Sequence, residues 1–280
     1  MIKNQLKTLI LLSVLTALLL WIGSFWGRAG LIFGLIFALI INFGSYFFSD
    51  KIILTIYRAK EVKEKDNPKL YRLVKEVVHL AKLPMPKLYI IPTASPNAFA
   101  TGRNPKHSAV AVTEGILNLL TENELKGVIA HELGHIKNRD ILIQTIAATI
   151  AGVISYIATV ARWSAIFGGF GNDRNNNFLE LIVLAILAPI IALIIQLAIS
   201  RSREYLADET SARTLHNSHY LISALEKLEH GSKLKPLRFG TEATSSLFII
   251  NPFKGSSLVH LFSTHPSTKD RIKRLKELNI

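Results

Sequence analysis

The chain has 280 residues, of which 49% are hydrophobic and only 19% charged, and its 33 Lys and Arg against 20 Asp and Glu give a formal net charge of +13. It contains no cysteine, which excludes disulfides and thiolate metal sites, so any metal must be held by His, Asp or Glu. The basic excess comes with no nucleic-acid motif. It reads as charge lying beside an anionic membrane leaflet, and nucleic acid is not an expected partner.

The apolar residues are clustered. Residues 8–27, 29–49, 141–161 and 181–200 carry no charged side chain. Each stretch is about 20 residues long, enough to cross a hydrocarbon core of about 30 Å at ~1.5 Å per residue, and backbone in lipid must be helical. The basic start of the first stretch (Lys3, Lys7) resembles a signal peptide. Its length, the lack of a small-x-small cleavage site before Arg28 and the second stretch that follows at once favour an uncleaved hairpin turning at 27–30. The third stretch is rich in Ala, Gly, Thr and Ser, which suits close helix packing, and a buried or tilted helix is its alternative. Residues 50–140 hold fifteen of the basic residues and 201–280 hold thirteen, whereas the loop 162–180 has only Arg162 and Arg174. The positive-inside rule then places both basic blocks in the cytoplasm.

In chain order, the soluble parts read as follows. Residues 68–80 have helical spacing (Leu70, Leu73, Val74, Val77, Val78). Residues 87–91 read as a strand closed by Pro92. Residues 97–102 form an extended segment and 108–112 a further strand, with Gly102 and Asn104-Pro105 between them. Thr121-Glu122-Asn123-Glu124 has the form of a capping box, starting a helix near 122. Helical spacing resumes after residue 200 and continues through Leu228, residues 231–257 read as a long loop, and 266–280 as a basic amphipathic helix.

The helix beginning near 122 carries His131-Glu132-Leu133-Gly134-His135, an H-E-x-x-H run. Residues four apart share a helix face, so both imidazoles can reach one metal ion while Glu132 lies beside it, placed to take a proton from water. The bland alternative is two histidines on a solvated face. Glu122, Glu124, Lys126, Lys137 and Arg139 keep this helix out of the lipid. A catalytic zinc needs a third protein ligand and an open position. Two bilayer crossings after His135 return the chain to the same side, and Glu204 is the first carboxylate to re-emerge there, with Asp208 one turn further on. Spacing alone leaves Glu204 either a ligand or the ion-pair partner of Arg201 or Lys126.

Four segments in order carry a resemblance to a known family. They are Pro96-Asn97-Ala98-Phe99-Ala100-Thr101-Gly102, His131 to Asp140, Ser202-Arg203-Glu204-Tyr205-Leu206-Ala207-Asp208, and Ser263-Thr264-His265-Pro266-Ser267 with Arg271-Ile272. Over nearly the whole chain the sequence resembles the HtpX family of membrane-bound zinc metalloproteases, in the wider group that includes prenyl-protein peptidases. The resemblance implies Glu204 as third zinc ligand, Asp208 as a carboxylate that orients a zinc histidine, and Asn97, Ala98, Phe99 and Ala100 as an edge that pairs with the substrate backbone. It also implies His265 as a candidate oxyanion donor. A structural histidine is the alternative for His265, and the remaining histidines (79, 107, 216, 219, 230 and 260) read as surface residues.

The expected fold is mainly α with a small β-sheet, a multi-span membrane protein carrying a zincin-like catalytic domain. Its parts are a membrane hairpin (1–49), a first catalytic block (50–140), a second hairpin (141–200) and a second catalytic block (201–280). The expected function is a zinc-dependent endopeptidase in the cytoplasmic (inner) membrane of a bacterium, with one Zn2+ per chain. It would act on misfolded or damaged membrane proteins from the cytoplasmic side. One alternative is an intramembrane zinc protease, which would place the motif inside an apolar span. The other is a non-enzymatic zinc-binding chaperone or scaffold, for which four protein ligands would be usual.

Overall fold

The computed structural model describes residues 2–24, 27–148, 150, 201–237, 244, 247–250 and 266–280. Much of the third apolar stretch, all of the fourth, and His260 and His265 lie outside the described residues.

Two apolar helices open the chain, α1 (Ile2–Ser24) and α2 (Gly27–Ile56). They pack antiparallel. Asn42 Nδ2 donates to Thr16 Oγ1 at 2.7 Å, and Gly34 lets the backbones approach so closely that a Cβ there would lie 2.7 Å from the Leu19 carbonyl oxygen. The turn between them is made at Gly27, whose φ of +66° a side chain would resist. Phe33, Leu39, Ile40 and Phe43 point outward and are exposed. Among the described residues, α2 is the one helix long and apolar enough to cross a membrane. The third apolar stretch begins as a helix at 141–148, with Ile143, Ile146, Ala147 and Ile150 packed on Leu11 and Leu15 of α1.

Past α2 the chain forms β1 (Lys60–Val62), α3 (Pro68–Ala81), β2 (Lys87–Ile91), β3 (Ala98–Asn104), β4 (His107–Thr113), α4 (Glu114–Leu119) and α5 (Glu122–Lys137). After the second block begins come α6 (Arg201–Leu215), α7 (His219–Leu234) and α8 (Thr268–Lys276). Local signals set several boundaries. Asn67 accepts from Leu70 N at 3.0 Å to cap α3, with Pro68 in its first turn. Ser267 caps α8 by accepting from Asp270 N at 3.1 Å. Among the described residues outside the apolar stretches, the expected helices and strands are present with ends shifted by a few residues. β1 and α4 are additional, and α7 runs to Leu234, into the stretch read as loop.

The four-stranded sheet has order β1-β2-β4-β3, with β2 and β4 parallel and both outer pairs antiparallel. β3 is therefore an edge. Side chains alternate across it. Leu88, Ala98, Ala100, Val110 and Val112 face a core built with α3, α5 and α7. Ile91, Phe99, Ala109 and Ala111 face a second cluster with Ile53, Leu54 and Tyr57 at the end of α2. The apolar hairpin and the α/β body are thus joined through the sheet.

Candidate metal centre and active site

α5 is fixed at its start by the expected capping box. Glu124 N donates to Thr121 Oγ1 at 3.4 Å, and Thr121 N donates to Glu124 Oε2 at 2.8 Å. Glu124 also accepts from Ser223 Oγ at 2.6 Å and from Lys227 Nζ, which ties α5 to α7. Burial alone would raise the Glu124 carboxyl, but Lys227, Ser223 and Thr121 outweigh it and hold the pKa at about 2.

Small residues let α5 be crossed closely. A Cβ on Gly134 would lie 3.2 Å from Ala207 Cα of α6, and one on Gly127 would lie 2.8 Å from the backbone nitrogen of Leu221. Ser211 Oγ donates to the Gly127 carbonyl at 2.8 Å. This close crossing sets Glu204 and Asp208 of α6 opposite the histidines of α5.

His131 and His135 lie one turn apart with Nε2 atoms 3.2 Å from each other. Glu204 completes a triangle, with Oε2 3.7 Å from His131 Nε2 and Oε1 3.5 Å from His135 Nε2. All three side chains are buried. The two Glu204 distances end on different oxygens; with one ligand atom taken from each side chain, the three lie within 4.8 Å of one another, a cluster that could hold a single ion. Lys126, an alternative partner for Glu204, instead pairs with Glu76 at 2.7 Å.

Asp208 lies behind His131. Its Oδ1 is 2.9 Å from His131 Nδ1, which fixes that nitrogen as the protonated one and turns the Nε2 lone pair toward His135 and Glu204. Asp140 Oδ2 lies 3.6 Å from Nδ1 of His135. Burial pushes the His131 pKa down to about 4, with Arg271 and His135 adding to the effect against Asp208. Burial also disfavours charge on His135, but Glu204, Asp140 and Glu132 outweigh it and raise the pKa to about 9. The surroundings of His135 thus attract one positive charge, a proton or a cation. Glu132 is raised to about 7, chiefly by burial and then by Glu204, against His135, the Ala100 backbone N–H that donates to it, and Arg271. A carboxyl poised near neutrality is suited to taking and returning a proton.

The substrate-edge expectation meets a more occupied strand. Asn97 Nδ2 donates to the Ile250 carbonyl at 2.7 Å, and Ile249 N donates to the Ala98 carbonyl at 3.1 Å. The ring of Phe99 is buried against Tyr57 and Phe248, so its side chain is closed to a substrate. His79, His107, His216, His219 and His230 are exposed, as expected.

Sequence reading assigned no role to Arg271. Its guanidinium is buried and grips Asp208 at two points, Nη2 to Oδ1 at 2.6 Å and Nε to Oδ2 at 2.9 Å. Its Nη1 donates to the Ile249 carbonyl at 2.8 Å and lies 4.0 Å from Glu204 Oε2. The available signal was its place on α8, where it shares the buried face with Leu275, four residues on. An arginine on an apolar helix face needs a buried acid.

Residues 64–279 match peptidase family M48. The chain belongs to that family. The Protease HtpX homolog of Syntrophobacter fumaroxidans is 51% identical over 280 residues, covering 98% of this chain and 99% of the relative. That of Syntrophotalea carbinolica is 52% identical with 99% of both chains covered, and that of Thermococcus sibiricus is 52% identical with 98% and 95% covered. The crystal structure of S. mikatae Ste24p is similar in fold, with a TM-score of 0.54 at 18% identity, over 98% of this chain and 66% of that one. This M48 member is a metalloprotease. The H-E-x-x-H helix is enclosed by α3, β3, α6 and α7.

Proposed function

We propose that the chain is a membrane-bound zinc endopeptidase whose metal is held by His131, His135 and Glu204. The observation that carries this reading is the buried triangle of two imidazole nitrogens and a carboxylate, closed by residues on two separate helices. When bound, zinc supplies Lewis acidity that polarises the scissile carbonyl and lowers the pKa of water toward ~7. Glu132 takes the proton of the attacking water and returns it to the leaving amine. Asp208 holds His131 in the ligating tautomer. The edge of β3 receives the substrate backbone. A strand added there either displaces Ile249 from Ala98 or pairs beyond it, from Ala100 toward Gly102. His265 completes the reading as a donor to the oxyanion.

The substrates in this reading are misfolded or damaged membrane proteins of the bacterial inner membrane, cut in segments facing the cytoplasm. The junction of α2 with the sheet supports it, since the catalytic body then sits at the membrane surface. The unequal distribution of Lys and Arg supports the cytoplasmic side. Glu132→Gln tests the mechanism. The variant should bind zinc like the wild type and lose cleavage of casein or a membrane substrate by at least ~100-fold. Wild-type turnover by that variant overturns the assignment.

A further inference from the structure

A cleft of about 440 Å³ lies where the end of α2 meets the tip of the β3–β4 hairpin, and none of its lining residues belongs to the metal triangle. Its wall combines aromatic and cationic side chains. α2 contributes Phe47, Phe48 and Lys51, and the hairpin contributes Arg103 and Lys106. The cations sit on the rings, with the Arg103 guanidinium 5.5 Å from the Phe47 centroid and Lys51 Nζ 5.4 Å from that of Phe48. Lys87, also in the lining, is engaged by Glu61 at 3.3 Å, and Asp50 is the carboxylate of the lining.

The position of the cleft narrows its ligand. Residues 29–49 of α2 carry no charge, and Asp50 and Lys51 are the first charges to follow. If α2 crosses the bilayer, as the proposed function holds, the hydrocarbon boundary falls at the rings of Phe47 and Phe48, with Lys51, Arg103 and Lys106 at the depth of the lipid phosphates. Volumes of about 300–1,000 Å³ are ordinary for small-molecule sites. Aromatic residues at the boundary and basic residues just beyond it match the two parts of a phospholipid, its glycerol-acyl region and its anionic head.

We propose that this cleft binds one anionic phospholipid, its phosphate against Lys51, Arg103 and Lys106 and its glycerol-acyl region against Phe47 and Phe48. The bound lipid would brace the hairpin whose other end forms the candidate substrate edge beside Glu132.

The test is lipid retention by the full chain from nanodiscs of mixed phosphatidylglycerol and phosphatidylcholine, read by native mass spectrometry. It does not depend on proteolysis, so a failed peptidase assay leaves the result interpretable. The wild type should retain one phosphatidylglycerol in preference to phosphatidylcholine. Removing the three cationic side chains (Lys51→Ala, Arg103→Ala, Lys106→Ala) should abolish the preference, at about fivefold per cation. A control with the same charge loss outside the cleft (Lys63→Ala, Lys65→Ala, Lys75→Ala) should keep it. Arg103→Gln alone should weaken retention severalfold if the triple variant does not fold. Excess inorganic phosphate should leave the lipid in place. Undiminished retention in the cleft variants, equal loss in the control, or displacement by inorganic phosphate overturns the proposal.

Discussion

Arg271→Ala probes how the second block of the chain holds the metal centre. The guanidinium and the Asp208 carboxylate are both nearly inaccessible, at 2% and 4% side-chain exposure, so solvent screening offsets little of their interaction. Burial alone would raise the Asp208 carboxyl, but Arg271 and His131 hold it below the ordinary aspartate value. Removing the arginine leaves a buried carboxylate without its bidentate partner, a change that costs about 3–5 kcal/mol. For a chain of this size, that corresponds to a fall in Tm of roughly 6–20 °C. The Ile249 carbonyl loses its donor as well. Because Asp208 then no longer sits rigidly behind His131, zinc affinity should fall about 10–100-fold. The assay is thermal denaturation of the detergent-solubilised, metal-free chain alongside zinc titration with a competing chelator. Arg271→Met combined with Asp208→Asn should be less destabilised than the sum of the single changes, because no buried charge is stranded. An unchanged Tm and an unchanged zinc affinity in Arg271→Ala would refute the reasoning.

Other consequences concern the framework of α5. Glu124, depressed from 4.5 to about 2 in the folded chain, contributes stability that is present above pH 4.5 and lost as pH falls toward 2. Glu124→Gln should therefore flatten the acid side of a Tm-against-pH curve between those values, and a curve parallel to the wild type would contradict the role. Thr121→Ala removes the other half of the capping box and should cost about 1 kcal/mol by denaturant unfolding. Gly127→Ala sets a Cβ 2.8 Å from a backbone nitrogen of α7. It should destabilise by about 1–3 kcal/mol despite the better helix propensity of alanine, and a neutral or stabilising result would show that α7 can move away freely.

What was legible in the sequence was local or periodic. The capping box, the H-E-x-x-H face, the spacing of α3 and the strands flanking Gly102 all depend on residues a few positions apart. Gly102 illustrates this. It takes φ +129° beside an irregularity in the β3–β4 ladder, a place only glycine fills easily. Glu204 was reachable because the two crossings expected after His135 would constrain which residues can meet, and Asp208 because the resemblance implied a role for it. The parts not legible depend on distant partners. The parallel pairing of β2 with β4, with β3 displaced to the edge, leaves no mark in either strand's own pattern. β1 is three residues long and carries two exposed charges. Arg271 meets Asp208 across 63 positions and the Ile249 carbonyl across 22, and its tail helix looks merely basic and amphipathic. The hold of Ile249 and Ile250 on Ala98 and Asn97 is equally remote, so the substrate edge looked more open in the sequence than it is in the fold.

In the proposed site, two histidines of α5 and one glutamate of α6 hold a single metal ion. The most direct test is the zinc content of the detergent-purified chain, wild type beside Glu204→Ala, with both proteins shown to be folded. About one zinc is expected per wild-type chain, removable by chelator together with peptidase activity, and far less than one in the variant. Equal zinc in both proteins, or a wild type that cleaves substrate at full rate after its metal is stripped, would contradict it.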